Sequence, residues 1–216
     1  MKTYKQLVNN ILIRLREREV GSINESSYSK LVSLFVSDAI ELVESSWNWS
    51  NLRETISVET VGDSFSYVLT DFGDKSTVID VVNDTGNHFM TYQSSHWFNN
   101  VFLNNSPAKG SPSYYSFNGL NEDGDTRVDI YPIPEGVYAL RFNVIKRSPD
   151  IFEDDDQIKV PFLPVQALAY AMALEERGED GGMSAVSAKA LSSVYLSDAI
   201  AIDASKHSEE LIWEAP

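Results

Sequence analysis

The sequence predicts an α+β fold: a four-helix bundle built from N- and C-terminal helices, with an antiparallel β-sandwich or barrel inserted between them. Three observations lead there. Apolar residues recur at three- and four-residue steps within the first 50 residues and again after Pro161 and Pro164, the spacing of one helical face. Between 51 and 145 the pattern changes to short β-branched and aromatic segments broken by Gly, Pro, Asn and Asp. One helical pair would leave an apolar stripe uncovered, whereas four helices can bury all their stripes against each other. Residues 1–50 and 160–207 are thus expected to form the bundle, 51–150 the inserted domain and 208–216 an extended tail.

The first helix is expected from 3 to 20, with Tyr4, Leu7, Val8, Ile11, Leu12 and Leu15 on one face and Gly21 at its end. Arg14, Arg16 and Arg18 then sit in its last turns, where the helix dipole favours positive charge. A second helix starts near Ser26 or Ser27, either of which can cap it, and turns Tyr28, Leu31, Val32, Phe35, Ala39, Ile40 and Val43 inward. Trp47-Asn48-Trp49 closes it, and the rings of Trp47 and Trp49 are expected to anchor the corner between the helices and the inserted domain.

Seven strands are expected: 53–59, 65–69, 76–83, 88–92, 113–118, 127–131 and 139–146. The turns between them carry Val61-Gly62-Asp63, Asp84-Thr85-Gly86-Asn87, Asp123-Gly124-Asp125 and Pro134-Glu135-Gly136, all suited to tight reversals. From His96 to Gly110 an Asn-rich loop is expected, carrying Trp97, Phe98, Phe102 and Leu103. Such residues either tuck back onto the sheet or are buried by a partner. After Pro164, Ala167, Leu168, Ala171 and Leu174 form a helical stripe that stops near Gly178, and Gly181-Gly182 make a second break. The last helix, 184–206, carries Val186, Ala190, Leu191, Val194 and Ile202, and its Ala and Ser residues permit close helix approach. Beyond it, Leu211, Ile212 and Trp213 stand out in a short acidic segment, as residues of a tail that docks.

The chain has 216 residues and 43% hydrophobic residues, enough to bury a core, and no cysteine, so disulfide, thiolate and zinc-thiolate chemistry are excluded. The N-terminus leads into an amphipathic pattern and no apolar run approaches the roughly 20 residues that span a bilayer, so a soluble protein made in the cytoplasm is expected. The formal charge of −15 is uneven: 1–50 carries six basic and six acidic residues, 51–150 seven and thirteen, 151–216 four and thirteen. Such a surface disfavours tight nucleic-acid binding, which draws on Lys and Arg neutralising phosphates, yet it suits DNA sliding past without being held.

Catalytic and cofactor patterns are lacking. His88, His96 and His207 have no partner at metal-ligand spacing, and no phosphate-binding Gly-rich loop or Gly-x-Ser-x-Gly elbow occurs. Asp71-Phe72-Gly73 matches a kinase triplet without its companions and reads as a strand-end turn. Asn121 to Asp125 lacks the spaced ligands of a calcium loop, and Glu153-Asp154-Asp155-Asp156 reads as a solvated charge run. No enzyme activity, cofactor or metal is expected.

The order of features resembles tailed-phage head-to-tail adaptor (connector) proteins, including the tail tubular protein A group. The resemblance rests on the paired N-terminal helices, Trp47-Asn48-Trp49, Tyr67-Val68-Leu69-Thr70-Asp71-Phe72, Gly110-Ser111-Pro112-Ser113-Tyr114-Tyr115, Tyr131-Pro132-Ile133-Pro134 and the helix from Pro161 to Gly178. Thr70 departs from the pattern, standing where such proteins often have proline. The resemblance implies a structural virion protein at the head-tail junction, assembled in the host cytoplasm. It implies a homo-oligomeric ring, a dodecamer, between the portal protein and the tail or nozzle protein, with DNA passing through its channel. Leu211, Ile212 and Trp213 would then dock on the portal, and Trp97, Phe98, Phe102 and Leu103 would face the tail. The alternative is a glycan- or protein-binding β module of a phage tail or baseplate, reading its ligand with Trp97, Phe98, Tyr114 and Tyr115.

Overall fold

The computed structural model describes residues 1–70, 72, 76–104, 107–122, 124–148, 152–179 and 183–206. These hold five α-helices and two four-stranded sheets, in two compact units. One unit comprises the described residues of Met1–Leu52 and Ser148–Pro216, the other Arg53–Arg147.

In the helical unit, α1 (Tyr4–Arg14) begins in a capping box, Thr3 and Gln6 exchanging side-chain-to-backbone hydrogen bonds. It stops six residues before the expected end at Val20. Arg16 takes a left-handed φ of 60°, while the Arg16 and Glu17 N–H groups donate to Ile13 and Leu12 carbonyls. This is a Schellman stop with Arg in the place glycine usually takes, so Arg16 and Arg18 lie outside the helix. The segment carrying Glu153 to Asp156 is tied to α1: Asp156 and Asp154 carbonyls accept from Tyr4 and Lys5 N–H, and the Asp154 carboxylate accepts from Ile23 N–H. The acidic run therefore satisfies backbone donors as well as meeting solvent.

Helix α2 (Ser27–Ser46) is capped by Ser26 in a box with Ser29 and buries Val32, Val36, Ala39, Ile40 and Val43. Helix α4 (Phe162–Leu174) is central. It packs on α1, α2 and α5 (Met183–Lys206), and its Ala-rich sequence lets three neighbours approach while Val165, Ala167, Ala169, Ala171, Ala173 and Leu174 are all buried.

The expected four-helix bundle is not what forms. Helix α5 lies along α4 and does not pack along α1 or α2, whose apolar faces α4 already covers. The expected inward stripe of α5, Val186, Ala190, Leu191, Val194 and Ile202, is the exposed face, with Val186 at 67% and Ile202 at 63% exposure. Its buried face is small and polar: Ala185, Ala188, Ser192 and Asp203. Small side chains permit a close approach to α4 that a Val/Leu/Ile face would block. By length and composition Ala185–Lys206 would also suffice to cross a membrane, contrary to the expectation of no such run. Lys189, Asp198, Asp203 and Lys206 interrupt it.

The β unit is a sandwich with strand orders β1-β8-β3-β4 and β2-β7-β6-β5, where β1 is Arg53–Glu59, β2 Ser66–Leu69, β3 Thr77–Asn83, β4 His88–Phe89, β5 Thr91–Tyr92, β6 Tyr114–Leu120, β7 Thr126–Tyr131 and β8 Ala139–Ile145. All strand pairs are antiparallel except β5 with β6, which is parallel, so the expected wholly antiparallel sheet is corrected there. The expected strand 88–92 breaks at Met90, whose buried side chain joins the core while Phe89 and Tyr92 are exposed. The break lets β4 pair with β3 and β5 with β6, in different sheets. The core between the sheets comprises Leu69, Phe72, Val81, Met90, Tyr115, Val128, Ile130, Leu140, Phe142 and Val144.

The expected Asn-rich loop is instead a helix, α3 (Ser95–Asn104), which packs on β6. Trp97, Phe98, Val101 and Phe102 fall at one-, three- and four-residue steps that give it an apolar face, outweighing the turn signal of the asparagines.

Candidate functional site

Three surface features arise from these placements. The first joins α5 to the end of α2. Asp203, 4% exposed, accepts the Trp47 indole N–H at 3.2 Å, the Ser50 backbone N–H at 3.0 Å and the Ser50 hydroxyl at 2.5 Å, with Lys206 Nζ at 3.1 Å. Burial opposes ionisation of this carboxyl, but the Ser50 and Lys206 hydrogen bonds and the Lys206 charge outweigh it and hold its pKa below the ordinary value. Beside it, Trp49 is fully enclosed and donates its indole N–H to the Val43 carbonyl at 2.7 Å. The two expected corner tryptophans thus part roles: Trp49 fills the core of the helical unit, and Trp47 hands its N–H to α5.

The second feature is a groove of about 440 Å³ alongside this junction. Its walls are Trp49, Phe162, Leu163, Pro164, Tyr195 and Ile202; the charged groups around it are Asp198, Asp203 and Lys206. Leu163 and Ile202 each keep a large part of their surface in solvent. The exposed α5 face continues from Ile202 to Val194, Leu191 and Val186, while α2 separately exposes Leu34 and Leu42.

The third is the α3 plate. Trp97 rests 5.1 Å from Tyr114 and 5.7 Å from Tyr131, Phe102 lies 5.0 Å from Phe65, and Phe98 is buried. Of the four aromatic or apolar residues singled out there, three turn onto the sheet and Leu103 stands 84% exposed. Tyr115 and Phe98 are buried, so the surface imagined for a glycan reader has lost two of its four rings to the interior.

Arg177, three residues beyond α4, donates to the Tyr28 hydroxyl at 2.8 Å and the Leu15 carbonyl at 3.0 Å, and pairs with Glu17. With the Gln166 amide turned, its oxygen accepts from Arg14 Nε and Nη2 at 3.1 and 2.7 Å. These arginines tie helix ends together. His88 contacts the Gly86 and Pro112 carbonyls, holding the β3–β4 turn against the Gly110-Ser111-Pro112 stretch. Among the described residues no cluster of His, Asp or Glu is arranged to hold a metal.

Leu211, Ile212 and Trp213 lie outside the described residues, as do His207 and Asp71. Sequence reading missed Asp203, the outward face of α5 and the groove. A signal for the first two was present: Ala185, Ala188, Ser192, Ala199 and Asp203 recur at helical spacing as a small-residue face.

No curated protein matches the chain. Residues 2–206, nearly the whole length, match the SU10 adaptor protein family. The chain belongs to that family, and is a phage adaptor, a structural protein of the virion that contacts other virion proteins.

Proposed function

We propose that the chain is the subunit of a head-to-tail adaptor ring that joins the portal to the tail or nozzle and forms part of the DNA channel. The observation that carries this reading is the uncovered apolar face of α5 in a chain of charge −15. Copies this acidic repel one another, so self-contact has to run through faces with little charge. A closed ring needs two different patches that meet head to tail. The α5 face of Val186, Leu191 and Val194 and the α2 face of Leu34 and Leu42 are two such patches. A 24-residue helix is about 36 Å long, and one side of it offers several hundred Å², a substantial part of the roughly 800 Å² per partner in a stable interface.

The resemblance to tail tubular protein A supplies the finer parts of the proposal: twelve copies, Leu211, Ile212 and Trp213 as portal anchors, and the α3 plate with Leu103 turned to the tail. Trp47 and Trp49 hold the corner at which α2 ends. Acidic side chains flank the channel and let DNA pass.

Native mass spectrometry of the protein alone and mixed with portal tests this. A ring of defined copy number is expected on portal, and Val194→Asp should abolish it while leaving the far-UV spectrum and melting point of the subunit unchanged. A chain that stays monomeric with portal, or a Val194→Asp variant that assembles normally, refutes the proposal.

A further inference from the structure

We infer that the groove beside the Asp203 junction is the seat of this chain's own Leu211-Ile212-Trp213 in the free subunit. Lys206 is both the last residue of α5 and a lining residue of the groove, so the segment 207–216 starts at its rim. The groove runs back along α5 as far as Tyr195, about 17 Å of helix. Leu211 is five residues beyond Lys206 and Trp213 seven, which reach at most about 17 and 24 Å when extended. All three side chains are therefore within reach of the groove.

The chemistry agrees with that occupant. Walls of Trp49, Phe162, Leu163, Pro164, Tyr195 and Ile202 suit apolar side chains, and a volume of about 440 Å³ lies within the roughly 300–1,000 Å³ of clefts that enclose ligand-sized groups. A buried indole needs an acceptor for its N–H, and the Asp198 carboxylate stands at the lining. The same-chain occupant is favoured over a second copy because a linker of a few residues gives an effective concentration near millimolar. A second copy must instead approach against the repulsion of two chains of charge −15. Portal docking by the same three residues then requires their release, so the groove competes with the portal.

The absence of cysteine makes the test direct. In the full chain, Ile212→Cys is combined with Leu163→Cys or Ile202→Cys in the groove, or with Val194→Cys as a control. Val194 lies about 18 Å from Lys206 along α5, within reach of the segment, but does not line the groove. All three partner sites are solvent-accessible, and circular dichroism checks that each variant folds. Under dilute oxidation, at least one groove pair should close within a single chain about tenfold faster than the control. Equal rates, no closure at either groove position, or bonds between chains would overturn the inference. Portal affinity measured on the unmodified chain keeps this result separate from the ring proposal.

Discussion

Replacing Asp203 by alanine removes a carboxylate that is 4% exposed and leaves the Ser50 N–H, the Ser50 hydroxyl and the Trp47 indole N–H without their acceptor. Hydrogen bonds to a buried charge are worth about 1.5–3 kcal/mol each, but three that share one carboxylate do not add. Lys206 is half exposed and regains water, and Ser50 is itself partly exposed, so water can reach it. The expected loss is about 2–4 kcal/mol. With a urea slope of about 1–2 kcal/mol/M for a unit of this size, the midpoint should fall by about 1–4 M, read from the helical signal at 222 nm. Asp203→Asn keeps one acceptor and should lose about half as much.

The pH dependence has a definite sign. The folded pKa of Asp203 lies below its ordinary 3.8, so its contribution is complete above that value and is lost as pH falls through the folded pKa. The stability gap between the native chain and Asp203→Asn should therefore narrow below about pH 4. A midpoint for Asp203→Ala within about 0.3 M of the native one, or a gap independent of pH, would show that Asp203 does not secure α5.

Tyr4 donates its hydroxyl to the Ser33 carbonyl at 2.5 Å, and burial, with Asp38 nearby, pushes its pKa up to about 12. The fold holds this proton, so the contribution is intact below pH 10 and is lost as pH rises towards 12; Tyr4→Phe should remove that part of the alkaline destabilisation seen by melting temperature. Phe142 is fully buried between the sheets against Tyr115 at 6.3 Å, and Phe142→Ala should cost the β unit about 3–5 kcal/mol in denaturant unfolding.

The strands were the most legible part of the chain. Arg53–Glu59 coincides with its expected bounds, and β2, β3, β7 and β8 fall within a residue of theirs, because β-branched runs between turn residues report local preference directly. The faces of α1 and α2 were legible for a similar reason: each buries a single apolar stripe, against the other and against α4, so period and burial coincide. Helix α3 was hidden because its asparagines spell turn while only its fourfold aromatic spacing spells helix. The α1 stop was hidden because a left-handed Arg16 has no residue signature of the kind Gly21 offers.

By itself the sequence determined the order of helices and strands, the turns and the acidic, cysteine-free character of the surface, since these depend on neighbours in the chain. Only the tertiary structure decided which side of α5 faces inward and which strands share a sheet. Burial there depends on what is already covered: α4 occupies the faces of α1 and α2, close packing on α4 admits Ala and Ser but not Val and Ile, and the larger apolar residues are left outside.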